Sequence, residues 1–151
     1  MRRDESGAAL VEMALVLPIL LIVVFGILEF GRAINYWIDT THLANQAARF
    51  AAVNKNPNGS GTLAAYIAAQ GTTQELRNGG TQSVPNALTV TLCFPAGTSK
   101  VGDPVRAVVS TTYNWMPFLG LSATSSTLKG TATMRIEVPP TAYTGTTTCP
   151  A

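Results

Sequence analysis

The sequence predicts an α+β protein: a long N-terminal membrane-spanning helix continues as an amphipathic helix and packs on a small antiparallel β-sheet. Three observations lead there. From Ala8 to Leu28 the chain reads AALVEMALVLPILLIVVFGIL, with Glu12 as its only ionisable side chain, and a bilayer span needs about 20 such residues. From Glu29 to Val53 the pattern becomes one-sided at helical period. Beyond residue 87, apolar residues alternate with threonine, as half-buried strands do.

The first element is justified by insertion energetics. Leu, Ile, Val and Phe each favour the bilayer centre by about 0.3–0.6 kcal/mol, which in sum outweighs one carboxylate near the end of the run. Pro18 and Gly26 are residues that membrane helices tolerate. Pro18 has no N–H to donate and its ring crowds the Ala14 carbonyl, so a kink is predicted there. A removable signal peptide would have an apolar region of about 7–15 residues and a small-residue exit. Here the run is longer and leads into Glu29, Phe30, Gly31 and Arg32. Arg2 and Arg3 precede the run and Arg32 alone follows closely, which places the N-terminus in the cytoplasm and exports the remainder.

The second element is the helix beyond the membrane. Phe30, Ile34, Trp37, Thr41, Ala44, Ala48 and Ala51 form one stripe, and Arg32, Asn35, Asp39, His42, Gln46 and Arg49 form a polar one. No proline intervenes between Pro18 and Pro57, and Asn54, Asn56, Pro57, Asn58, Gly59 and Gly61 make a strong stop. A single helix over 8–53 follows, about 70 Å long at 1.5 Å per residue. Gly31 leaves open the alternative of a separate docking helix. Tyr36 and Trp37 fall near where interfacial aromatic residues are expected.

The third element is the exported domain. Residues 62–70 suggest a short helix, followed by a loop through Arg77, Asn78, Gly79 and Gly80. Strands are predicted over 88–94, 104–113 and 127–138. Between the last two lie Trp115, Met116, Pro117, Phe118, Leu119 and Leu121. This group is either a contact patch for a partner or a loop that folds its rings onto the sheet. Cys93 and Cys149 form an even count, which in an exported domain suggests a disulfide tying the tail to the first strand. The Thr- and Pro-rich tail from Pro139 is expected to be irregular without that bond.

Composition narrows the function classes. Charged residues make up 12% of the chain and the net charge is +2. The basic residues beyond Arg32 are scattered singly, with no clustered footprint for nucleic acid. His42 is the only histidine, and no Cys, His or carboxylate cluster has metal-ligand spacing. The stretch GTSKVGD lacks the spacing of a phosphate loop. Asp39, Glu75, Asp103 and Glu137 are far apart in sequence. Neither an enzyme nor a cofactor is expected.

The most specific motif is Gly7-Ala8-Ala9-Leu10-Val11-Glu12. A polar leader ends in glycine, an apolar helix begins at once, and a carboxylate follows. A carboxylate in a bilayer is costly and points to function by default. The motif resembles the processing site of bacterial type IV prepilins and pseudopilins. The resemblance implies cleavage by a prepilin peptidase after Gly7, leaving Ala8 as the new N-terminus. The new ammonium would lie four residues before Glu12, on the same helix face. Opposite charges about 4 Å apart interact by roughly 4 kcal/mol at an effective dielectric near 20, enough to set the register of packed helices.

The stretch from Gly7 to Val53 is similar to the N-terminal part of TadE-type proteins, the pseudopilins of tight-adherence (Flp) pilus systems. The segment VRAVVSTTYNWMPFLGLSATSSTLKGTATMRIE is similar to their C-terminal part. The chain is longer than a major Flp pilin and lacks the large extra domain of TadG-type proteins. The implied organisation is a leader over 1–7, a transmembrane helix over 8–28, an amphipathic continuation over 29–53, an exported α+β domain over 54–138 and a tail over 139–151. The implied role is a minor pilin or pseudopilin of the bacterial inner membrane. Its partners would be prepilin peptidase, other pilins, pilus-assembly membrane proteins and the bilayer. The alternative is an unprocessed, single-pass, extracytoplasmic binding module.

Overall fold

The computed structural model describes residues 5–57, 59, 61–115 and 124–150. In chain order they form α1 (Glu5–Ala52), α2 (Leu63–Ala69), α3 (Gln74–Asn78), β1 (Thr89–Cys93), β2 (Pro104–Asn114) and β3 (Ser125–Arg135). The chain divides into two units, Met1–Arg32 and Ala33–Ala151.

From Glu5 onward the first unit is helical. Its apolar side chains are exposed: Leu10, Leu15, Ile19 and Ile27 are about two-thirds or more exposed (71%, 70%, 67% and 68%). α1 is long and apolar enough to cross a membrane. It is unbroken through Pro18 and through Gly31, and it begins at Glu5, before the expected start at Ala8. Arg32 and Glu29 approach to 3.8 Å at i,i+3 spacing.

The second unit is built on the remaining part of α1 and a three-stranded antiparallel sheet of order β1-β2-β3. The register pairs Thr91 with Val108 and Val109 with Gly130. Val105, Ala107, Val109, Thr111 and Tyr113 alternate along β2 and are all buried. All but Thr111 share a core with Leu43, Ala44, Ala47, Ala48 and Ala51 of α1 and with Ala132 of β3. Gly130 allows the closest approach. A Cβ there would lie 2.4 Å from the carbonyl carbon and oxygen of Thr40.

The buried face of α1 differs from the expected stripe. Ala44, Ala48 and Ala51 are buried as expected. Further toward the N-terminus the buried residues are Ala33, Tyr36 and Thr40, one position before Ile34, Trp37 and Thr41. Ile34 and Trp37 are exposed instead (38% and 53%). Asp39, assigned by pattern to the polar stripe, is buried because it has its own partners in the loop before α3. The expected loop after α2 contains α3, which the pattern missed. Thr62 and Thr73 cap α2 and α3, each accepting from the backbone N–H three residues on. Gly79 ends α3 at φ 66°, and a Cβ there would strike Ala87 N at 2.5 Å.

α1 ends in a Schellman motif. Asn54 takes φ 51°, Asn54 N–H donates to Ala51 O at 3.1 Å and Lys55 N–H to Phe50 O at 2.9 Å. Glu137 N–H then donates to the terminal Ala52 carbonyl at 2.8 Å.

Gly130→Ala should cost about 3 kcal/mol, the upper end for overpacking, because the obstacle is helix backbone. Denaturant unfolding of the full chain in detergent micelles, followed by near-UV circular dichroism, checks this. Stability within about 0.5 kcal/mol of the parent would show that α1 can shift freely.

Candidate assembly surfaces and the disulfide-closed tail

The residues singled out in the sequence fall into separate places. Gly7, Ala8 and Glu12 lie in the first turns of α1 and are exposed. No neighbour stands within 4 Å of a Cβ built at Gly7. Gly7 stands in the first turn of α1, where a glycine lowers helix stability by about 1 kcal/mol relative to alanine. Pro18 sits inside α1.

Trp115 is half-buried rather than displayed. Its indole N–H donates to Ser126 Oγ at 2.9 Å, and its ring meets Tyr113 edge-on at 5.1 Å between centroids. Met116, Phe118 and Leu119, with Pro117 and Leu121, lie outside the described residues.

Cys93 and Cys149 are joined in a disulfide. The bond fixes a tail that also adds to the edge of β1. Phe94 N–H donates to Thr146 O at 2.9 Å, and Thr146 N–H donates to Leu92 O at 2.9 Å. Asn54 holds the same tail from the other side. Its Oδ1 accepts from the N–H groups of Thr141 and Ala142, both at 2.8 Å. Tyr143 stacks on Phe94 with centroids 6.4 Å apart, and its hydroxyl is buried without a hydrogen-bond partner among the described residues.

Sequence reasoning missed a polar seam on α1. Asp39 accepts from Thr72 twice, from its N–H at 2.8 Å and from its hydroxyl at 2.7 Å. One turn earlier, the Tyr36 hydroxyl donates to Glu75. The available signal was a Thr-Thr pair beside an N-cap, but its partner lies over 30 residues away in sequence. These carboxylates fasten the α2–α3 segment to the helix. Near the start of β2, the Thr98 hydroxyl and then the Lys100 N–H, helped by the Lys100 charge, hold the Asp103 carboxyl below its ordinary range. Among the described residues no group of three or more His, Cys, Asp or Glu could hold a metal. A cleft of about 570 Å³ by the end of α1 is lined by Phe50, Tyr66 and Met134, with Arg49, Lys55 and Glu137.

This geometry defines a class: an α+β domain, closed by a disulfide, on a helix able to cross a membrane. Residues 7–49 match the family model described as TadE-like protein, consistent with a TadE-type pseudopilin. The match and the apolar helix suggest a Tad pilus-associated, membrane-anchored component. The match ends at residue 49, so the similarity noted over 105–137 lies outside it. No curated protein matches the chain, and no solved structure does.

Removing the disulfide by Cys149→Ser should lower stability by about 2–4 kcal/mol, as expected for a cross-link spanning 56 residues. Thermal unfolding with and without reductant measures it; a parent protein insensitive to reductant would contradict it. A second outcome concerns pH. Burial pushes the Tyr143 phenol up to about 12. An unfolded tyrosine ionises near 10, so the folded state holds its proton longer. That contribution is full below pH about 10 and is lost as pH rises toward 12. Tyr143→Phe should remove this part of the alkaline loss. At neutral pH it should leave stability unchanged or slightly raised, because the hydroxyl forfeits no bond. Parallel pH–stability curves of the two proteins decide it.

Proposed function

We propose that this chain is a minor pilin or pseudopilin-like component of a bacterial tight-adherence (Flp/Tad) pilus assembly system. It is cut after Gly7 and assembled through its N-terminal helix. The observation that carries the reading is positional. Gly7, Ala8 and Glu12 lie near the start of a helix whose apolar side chains are exposed, and residues 7–49 match a TadE-like family.

In this reading the chain sits in the inner membrane with a cytoplasmic N-terminus and an exported C-terminal domain. Prepilin peptidase removes residues 1–7. The new Ala8 ammonium and the Glu12 carboxylate, at i and i+4, share one face of α1, either within one helix or between neighbours. Helices in lipid lack a hydrophobic drive to associate, so polar atoms and close packing set their alignment. Pro18 loosens the helix where the Ala14 carbonyl loses its donor. Ile34, Trp37 and Ile38, exposed at 38%, 53% and 58%, supply an apolar surface beyond the membrane run for neighbouring pilin helices.

Intact mass of the mature protein tests the reading. In cells with a prepilin peptidase, the chain should begin at Ala8. Gly7→Ala should leave Met1–Gly7 attached. Glu12→Ala should be processed normally and fail in assembly. A wild-type chain that keeps its leader in such cells would instead favour the unprocessed binding module.

A further inference from the structure

We infer that the outer edge of β3 takes an extended acidic segment of a partner protein as a fourth strand. Pro104 has no N–H, so Pro104 and Arg135 face each other without exchanging bonds. Trp115 N–H to Thr124 O at 3.0 Å and Ile136 N–H to Asp103 O at 2.9 Å fix the alternate positions as the bonded ones. By alternation, Thr127, Thr131, Thr133 and Arg135 turn their N–H and C=O groups away from β2. No backbone bond among the described residues meets these groups.

The two edges of the sheet are therefore unlike. The tail covers the edge of β1 through Thr146 and is locked there by the disulfide. β3 presents the outward backbone groups of Thr127, Thr131, Thr133 and Arg135, without a proline among its 11 residues. Such an edge is a template for strand addition.

Charge selects the occupant. The three strands contain no carboxylate; their charged side chains are Arg106, Lys129 and Arg135. By strand alternation all three lie on the sheet face opposite the buried Val105, Ala107 and Val109. Arg106 is tied across to Thr133 at 3.3 Å, and Arg135 reaches the Gly102 carbonyl at 3.3 Å. Two copies of this edge would bring cations together, an arrangement that natural edge strands use against self-pairing. A strand with carboxylates set to meet Lys129 and Arg135 gains both the ladder and the ion pairs. The inference concerns the Ala33–Ala151 unit and does not depend on processing at Gly7.

The test uses the full chain in detergent micelles and a labelled synthetic peptide of about nine residues. The peptide alternates Thr and Val and carries two Glu six positions apart; a second peptide carries Lys in their place. The Glu peptide should bind, and the Lys peptide should bind at least about tenfold more weakly, a difference of roughly 1.4 kcal/mol. Thr131→Pro removes an outward N–H while sparing the ladder to β2, and should weaken binding by a similar factor. The double change Lys129→Glu and Arg135→Glu should invert the preference toward the Lys peptide, which decides the matter even if Thr131→Pro fails to fold. Failure of the Glu peptide to bind overturns the inference, as does equal affinity for both peptides. Self-association of the chain that Thr131→Pro abolishes would assign the edge to a second copy and overturn it too.

Discussion

The Ala33–Ala151 unit depends on how closely α1 lies on β3. At Gly130 the helix backbone of Thr40 occupies the space a side chain would need. Contact that close requires small residues on the helix, and Ala44, Ala47, Ala48 and Ala51 provide them. Large side chains are then confined to the flanks. Tyr36, Tyr113 and Trp115 form a chain of rings at 5.7 and 5.1 Å on one side. Leu63 and Ile67 of α2 join the core with no exposed surface. A bulkier helix face would push the sheet away and uncover both sets of residues.

Two buried polar groups show what the close packing demands. Thr40 is buried against the sheet, and its hydroxyl turns back to the Trp37 carbonyl at 2.8 Å. Asp39 takes two bonds from Thr72. Burial of either without a partner would cost several kcal/mol for a carboxylate and about 1–3 for a hydroxyl. The tail solves a similar problem at the other end. It accepts and donates at the exposed edge of β1, and through Asn54 it engages the turn that terminates α1. One disulfide thereby secures the sheet edge and the helix end together.

How much of this was legible follows from range. The long helix, its stop at Asn54, the strands and the α+β class depend on local period and turn chemistry, and the sequence reveals them. The pairing of Cys93 with Cys149 followed from an even count and an expected export of the domain. The buried face of α1 was legible only in its alanine half. Further toward the N-terminus, hydropathy favours Ile34 and Trp37 over Ala33 and Tyr36. The core instead needs a small residue at 33 and a phenol at 36 that can reach Glu75. α3 was hidden because its five residues carry little periodicity and its N-cap, Thr73, reads equally as loop. Of the proposed assembly residues, Gly7, Ala8 and Glu12 were legible as a motif. The asymmetry of the sheet edges was not, since it depends on the phase set by Pro104 and on a tail bond made across 56 residues.

The two parts of α1 obey opposite rules, and this bears on the proposed assembly. In the sheet-bearing part, water drives the Ala face onto β-strands, and fit is set by shape. In the apolar part, Leu10, Leu15 and Ile19 would each lose about 1.5–3 kcal/mol of burial free energy if left in water. Lipid or other helices must therefore cover them. Lipid satisfies that need equally well at every rotation and depth, so hydrophobicity alone gives no register. What breaks the degeneracy must be polar or shape-specific. In the run from Ala8 to Leu28 the one ionisable side chain is Glu12, and the shape-specific residues are Pro18 and Gly26. In the proposed pilin reading, a new ammonium four residues before that carboxylate would convert a costly charge into an alignment signal, which would give the proposed leader removal a physical purpose beyond maturation.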